Sequence, residues 1–292
     1  MHLLKIAGIP LCINAHEWVL FDNLKSFFDV NSKPEFTIDI IFKDIPTVNI
    51  DKAEIMIETA VELIFRQQEK TYIKYKHDTS IPSLLVINDD WTFCSVYIDS
   101  VYDKPDDILI TEDVSRAIFM TLRTILIPVL AKKSTLMIHS SSIIWKDRGI
   151  VFSAPSGTGK TTHTNIWKQL YGARILDGDV TAVRVENGEA VAYGLPWCGT
   201  SNEFLNENVC LDSIVFLEQA KENHIYKLSY EEAVMRILSR AFLLPLNSKM
   251  MDLYIDIADK IAKATDCYVL ECLPDQSAVE LVKKCLEEKS RN

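Results

Sequence analysis

The chain has 292 residues, 48% hydrophobic and 25% charged, with 9 glycines and 10 prolines, a composition that excludes disordered and fibrous classes and predicts a packed core. Its 41 acidic against 31 basic residues give a formal charge of -10, opposite in sign to the basic surface of a nucleic-acid binder. Its 7 cysteines lack a metal-type Cys-x-x-Cys pair and stand in a chain large enough to need no staples, so they read as reduced thiols.

The N-terminal decapeptide lacks the basic flank and cleavage site of a signal peptide. The apolar run 125–131 is interrupted by Pro128 and is far shorter than the ~18 residues of a membrane span. The expectation is a cytoplasmic protein with no membrane partner. Phe36–Phe42 and residues 84–99 are rich in β-branched and aromatic residues with an Asn88-Asp89-Asp90 breaker, which predicts short antiparallel strands. Residues 53–69 fit neither a helical stripe nor strict alternation.

From Thr111, the residues Ile118, Leu122, Ile125, Leu126 and Val129 recur at helical spacing. The domain boundary is placed there, giving a β-rich N-terminal domain over 1–112 and a second domain over 113–292. Leu136 to Trp145 reads as a strand, Lys146-Asp147-Arg148-Gly149 as a turn and Ile150 to Ser153 as a second strand.

The second strand runs into Ala154-Pro155-Ser156-Gly157-Thr158-Gly159-Lys160-Thr161, the G-x-x-x-x-G-K-[ST] phosphate loop with Ala at the first glycine. Glycines let successive N–H groups face a phosphate, and the helix that follows adds its positive end. Pro155, Ser156, Gly157, Thr158, Gly159, Lys160, Thr161 and Thr162 are the nucleotide-binding candidates, with Lys160 reaching the β/γ-phosphates and Thr161 a cation. Beyond that helix, residues 173–176, 180–185 and 190–193 come close together, with Glu186-Asn187-Gly188-Glu189 as a hairpin turn. They read as a β-meander, so the expected fold is α/β of the α+β kind: a phosphate loop on a mixed, largely antiparallel sheet flanked by helices.

Asp177-Gly178-Asp179 lies between the first two strands of that meander, where an extended backbone would send both carboxylates to one face. Phosphoryl transfer uses such acids to hold Mg²⁺ and to take the acceptor proton. At this point the sequence resembles the HPr kinase/phosphorylase catalytic domain and the wider HPr-kinase-related group, which shares a fold with phosphoenolpyruvate carboxykinase. The resemblance covers roughly 112–285. It rests on His139-Ser140-Ser141-Ser142, the loop through His163, Ile175-Leu176-Asp177-Gly178-Asp179, Tyr193-Gly194-Leu195-Pro196-Trp197-Cys198-Gly199-Thr200 and Ile214-Val215-Phe216-Leu217-Glu218-Gln219.

The resemblance implies an ATP- and Mg²⁺-dependent kinase acting on a hydroxyl, a serine of a peptide, a protein or a free amino acid. Lys160, Thr161, His139 and Asp179 match motif positions, while the first acid of the group's pair falls at Gly178. Catalytic candidates are therefore Asp177, Asp179, Lys160 and His139, and metal candidates Thr161 and Asp179. Asp179 is assigned to Mg²⁺ and Asp177 to proton acceptance or acceptor orientation, with the choice of base between them left open. The N-terminal third does not look like that of HPr kinase, and Ser201-Asn202-Glu203-Phe204 replaces its glycine-rich signature, so the acceptor is not expected to be HPr. The alternative is a nucleotide-binding regulatory protein without transfer activity. A homo-oligomer is compatible with either.

Other residues carry open readings. Trp197 and Gly199 could line an acceptor site, Glu203 could contact a metal, and His163 could sit near phosphate or on the surface. Ser229-Tyr230-Glu231-Glu232 is a capping box before a helix bearing Arg236, read as a surface ion-pair former, and Arg240, a weak phosphate candidate. His2, His16, His77 and His224 show no ligand spacing.

Overall fold

The structure is a computed structural model that describes residues 1–76, 81–103 and 107–289. It divides into two compact units, Met1–Val129 with Pro245–Met250, and Leu130–Leu244 with Met251–Asn292. Each holds a mixed sheet, and with the helices they make an α+β protein.

The first unit contains β1 (His2–Ile6), β2 (Ile9–Asn14), β3 (Phe36–Phe42), β4 (Glu54–Glu58), β5 (Glu62–Gln67), β6 (Lys70–Tyr75), β7 (Leu84–Asn88) and β8 (Phe93–Ile98). Their order is β1-β2-β3-β8-β7-β6-β5-β4. Most pairs are antiparallel, but β3 runs parallel to both β2 and β8, which corrects the antiparallel expectation. The crossover from β3 to β8 is made by the four strands between them, so no helix marks it in the sequence. Residues 53–69 hold the β4–β5 hairpin, whose register slips between Ile55 and Ile57. That irregularity is why strict alternation fails there.

Helix α1 (Ile108–Ala131) runs through Pro128, which lies in its last turn. Ser115 Oγ donates to Val19 O at 3.2 Å and Phe119 stacks on Phe21 at 4.6 Å. The helix thus belongs to the first unit, and the unit changes at Val129 rather than at 112. Among the described residues it is the one helix long and apolar enough to cross a membrane, with 67% of its most apolar window buried inside the protein.

The second unit contains β9 (Thr135–Trp145), β10 (Arg148–Ser153), α2 (Lys160–Tyr171), β11 (Arg174–Asp177), β12 (Val180–Glu186), β13 (Glu189–Gly194), β14 (Asn208–Gln219), β15 (His224–Lys227), α3 (Tyr230–Arg240), all but the first three residues of α4 (Ser248–Ala264), β16 (Asp266–Cys272) and α5 (Gln276–Lys289). The order is β10-β9-β12-β13-β14-β16-β15, with β11 beside β9 and β10 also paired to β14. Two long strands pass from one side of the sheet system to the other. β9 pairs with β12 up to His139 and with β10 from Ser140 onward. β14 begins antiparallel to β13 and continues parallel to β10 and β16.

The expected meander is corrected in one respect. β11 pairs with β9, not with β12, so β11 and β12 lie end to end along one edge of β9. The turn at Gly178 and Asp179 joins them, beside the point where β9 changes partners. On the far face, Trp167 of α2 and Val279, Val282 and Leu286 of α5 pack on Phe152, Val215 and Leu270. Each such large side chain contributes about 1.5–3 kcal/mol of apolar burial.

Candidate functional site

The loop between β10 and α2 starts in the core. Ala154, which stands at the motif's first glycine, is 1% exposed and packs with Phe152 and Trp167, so its methyl group has a place. Pro155, Ser156 and Gly157 then reach solvent. Gly157 and Gly159 take φ of +78° and +109°, left-handed backbone that L side chains rarely adopt. The curl brings the N–H groups of Gly157, Gly159, Lys160 and Thr161 to the opening of α2 with no backbone partner among the described residues. Such orphan donors at a helix start favour an anion. Thr161 and Thr162 are exposed, and the Thr161 hydroxyl has no hydrogen-bond partner among the described residues.

Lys160 is 8% exposed. Its Nζ donates to Ala154 O at 3.0 Å and Pro155 O at 3.4 Å, and lies 3.2 Å from His139 Nε2. Burial lowers its pKa and nearby Arg240 lowers it further, against the opposing pull of Asp179. Asp179 Oδ1 is 3.4 Å from His139 Nε2. His139 is the last β9 residue paired to β12, and Asp179 O accepts from Ser140 N–H at 2.9 Å, so the strand changeover brings the three side chains together. Lysine, imidazole and carboxylate meet beside the loop.

Asp177 is not part of that group. Its side chain is 0% exposed and accepts three backbone N–H bonds, from Asp179 and Val180 at Oδ1 and Leu195 at Oδ2. Burial pushes its carboxyl well above the usual range, against the three N–H donors. The bonds from Asp179 and Val180 N–H to Asp177 Oδ1 close a turn at Gly178, so the backbone does not stay extended through it. A Cβ on Gly178 would stand 1.8 Å from Ser201 Oγ, which explains why no acid occupies that position.

The remaining candidates separate. Trp197 and Cys198 are each 2% exposed, core residues rather than contact surface. His163 is buried rather than on the surface. It packs against Phe152, its Nε2 accepts from Trp167 Nε1 at 3.3 Å, and its buried Nδ1 has no hydrogen-bond partner among the described residues. Desolvation drops its pKa to about 4. Glu203 pairs with Lys168. Arg236 pairs with Glu218, and Arg240 has no hydrogen-bond or ion-pair partner among the described residues. The 7 cysteines form no disulfide, and His77 lies outside the described residues.

Sequence reasoning assigned no role to the end of β14. Its parallel pairing with β10 sets Phe216 opposite Ser153, and residues 216–219 then line a cavity of about 320 Å³ with Ala154, Pro155, Thr158, Arg236 and Arg240. The Ile214 to Gln219 run was visible, but only the register of β10 against β14 shows what it faces. Among the described residues no group of three or more His, Cys, Asp or Glu could hold a metal. One carboxylate and one hydroxyl suit Mg²⁺ shared with a phosphate ligand, which uses one or two carboxylates, and do not suit an all-protein metal cage.

No protein-family model matches the chain, and no curated protein matches it. Among solved structures it is similar to the Hpr(Ser) kinase/phosphatase from Coxiella burnetii, with 10% identity and a TM-score of 0.31, over 53% of this chain and 90% of that one.

Proposed function

We propose that the chain is an ATP- and Mg²⁺-dependent kinase that transfers the γ-phosphate to a hydroxyl, a serine of a peptide, a protein or a free amino acid, and not to HPr. The observation that carries this reading is the meeting of Lys160, His139 and Asp179 beside a loop in which the N–H groups of Gly157, Gly159, Lys160 and Thr161 have no backbone partner among the described residues. The loop and the start of α2 bind the phosphates, and Lys160 leaves its two carbonyls to face the β/γ oxygens. Thr161 and Asp179 would hold Mg²⁺, which when bound neutralises charge on the phosphates. The acceptor O–H loses its proton to Asp179 as its oxygen bonds to the γ-phosphorus and ADP leaves. His139 keeps Asp179 oriented. Arg240 adds an unpaired cation to the cavity wall next to the loop.

Lys160→Ala removes a charged donor from the phosphates and is expected to weaken ATP·Mg²⁺ binding by about 10- to 100-fold by isothermal titration. Unchanged affinity in a folded variant rejects the phosphate-loop assignment. A second reading, a nucleotide-binding regulator without transfer activity, is favoured by one observation: Asp177, one of the two acids, is buried with its carboxylate taken by three backbone N–H groups. Labelled phosphate transfer to free serine, threonine or a serine peptide decides between them.

A further inference from the structure

The turn that carries Asp179 is held from two sides. Asp177 Oδ1 accepts from the N–H of Asp179 and of Val180, each at 2.9 Å, and this pair shapes the turn. Oδ2 accepts instead from Leu195 N–H at 2.8 Å, the first residue of the connection 195–205. The far end of that connection returns to the same strand: Leu205 N–H donates to Leu176 O at 2.9 Å, and Phe204 bridges Asp177.

Between these anchors the connection presses on the turn at two glycines. A Cβ on Gly178 would lie 1.8 Å from Ser201 Oγ and 2.8 Å from Cys198 O. Gly199, at φ +62°, backs directly onto the acid, where a Cβ would lie 2.9 Å from Asp179 Cβ. Real side chains do not approach so closely, so turn and connection can meet only while both positions are glycine. Ser201 Oγ is itself spent, donating to Cys198 O at 2.7 Å and accepting from Glu203 N–H at 3.2 Å. The connection is thus internally braced where it touches the acid. Asp179 Oδ1 lies 3.4 Å from His139 Nε2 and 3.5 Å from where a Gly199 Cβ would stand, so a side chain at 199 would press on the oxygen that meets His139.

We propose that the connection 195–205 is the positioning element of Asp179, with Asp177 as its anchor and Gly199 as the surface that fixes the direction of the acid. The geometric part stands by itself, and the effect on Mg²⁺ rests on the kinase reading above. Asp177 and Gly199 are positioning residues, acting through Asp179.

Asp177→Asn is a selective cut. The amide oxygen can keep both bonds of the turn, but its NH₂ then faces Leu195 N–H, donor against donor. Amide hydrogen exchange on the full chain should quicken about tenfold or more at Leu195, while Asp179 and Val180 stay protected. Protection lost equally at all three sites, or at none, overturns the anchor.

Gly199→Ala serves where Asp177→Asn does not fold. It should raise the Mg²⁺ concentration for half-maximal ATP binding about tenfold with Asp179 present, and have no further effect in an Asp179→Ala background. An equal effect in both backgrounds overturns the positioning role. A wild-type chain that binds no ATP counts against the kinase reading alone, and amide exchange at Asp179 in Gly199→Ala then decides the inference: quickened exchange supports it and unchanged exchange overturns it.

Discussion

Lys160 and His163 are three residues apart on α2 and have opposite fates. The first is a buried amine that donates to two carbonyls, its pKa lowered by burial against the pull of Asp179, and the second is a buried imidazole that gives its charge up. The His163 pKa falls from 6.5 to about 4 because the ring is desolvated between Phe152 and Trp167. Below 6.5 the unfolded chain takes a proton that the folded chain refuses, so stability is lost as pH falls from about 6.5 towards 4 and is unaffected above. The loss amounts to ~3 kcal/mol at 1.36 kcal/mol per unit. His163→Phe should remove that part of the slope, seen as a smaller difference between urea midpoints at pH 7.5 and pH 4.5 than in wild type. An identical difference would show that the ring titrates freely. The glycines and lysine of the loop were legible in the sequence because backbone curl and charge are local properties. The place of Asp177 was not, because the alternation argument assumed an extended backbone through Gly178, and the three N–H groups that claim its carboxylate come from residues up to 18 positions away.

At the scale of elements, α3 shows how far local chemistry reaches. Ser229 Oγ accepts from Glu232 N–H and Glu232 accepts from Ser229 N–H, so the capping box read from four residues is present. The same helix presents Arg236 and Arg240 to the cavity beside the loop. Ser229→Ala should cost about 1 kcal/mol. In a thermal melt that corresponds to a fall in Tm of about 2–4 °C for a domain of this size. An unchanged melt would mean that packing of Ala233 and Ile237 alone fixes the helix. Strand pairing was less legible than strand identity. The 180–194 hairpin announces its partner through its turn, whereas β11 finds β9 across an intervening helix, and nothing in four residues encodes that choice.

For the whole molecule, composition and strand-rich stretches conveyed an α+β chain, but not where one unit yields to the next. α1 carries its helical pattern past the expected boundary, and it is tied to the first unit by the Ser115 hydroxyl on Val19 O and by Phe119 stacked on Phe21. In the second unit, β9 and β14 each serve two neighbourhoods of strands, and this sharing bears on how the unit comes apart. Neither neighbourhood can melt while the other persists, since each loss would strip one half of a strand whose other half is still hydrogen-bonded. Unfolding there should be a single cooperative transition with no half-sheet intermediate. Trp145 lies on the β10 side of β9 and Trp197 just beyond β13, so the two indoles report on the two neighbourhoods. With fluorotryptophan incorporated in the full chain, their resonances should shift at the same denaturant concentration, and separate midpoints would mean that the long strands act as seams along which the unit divides.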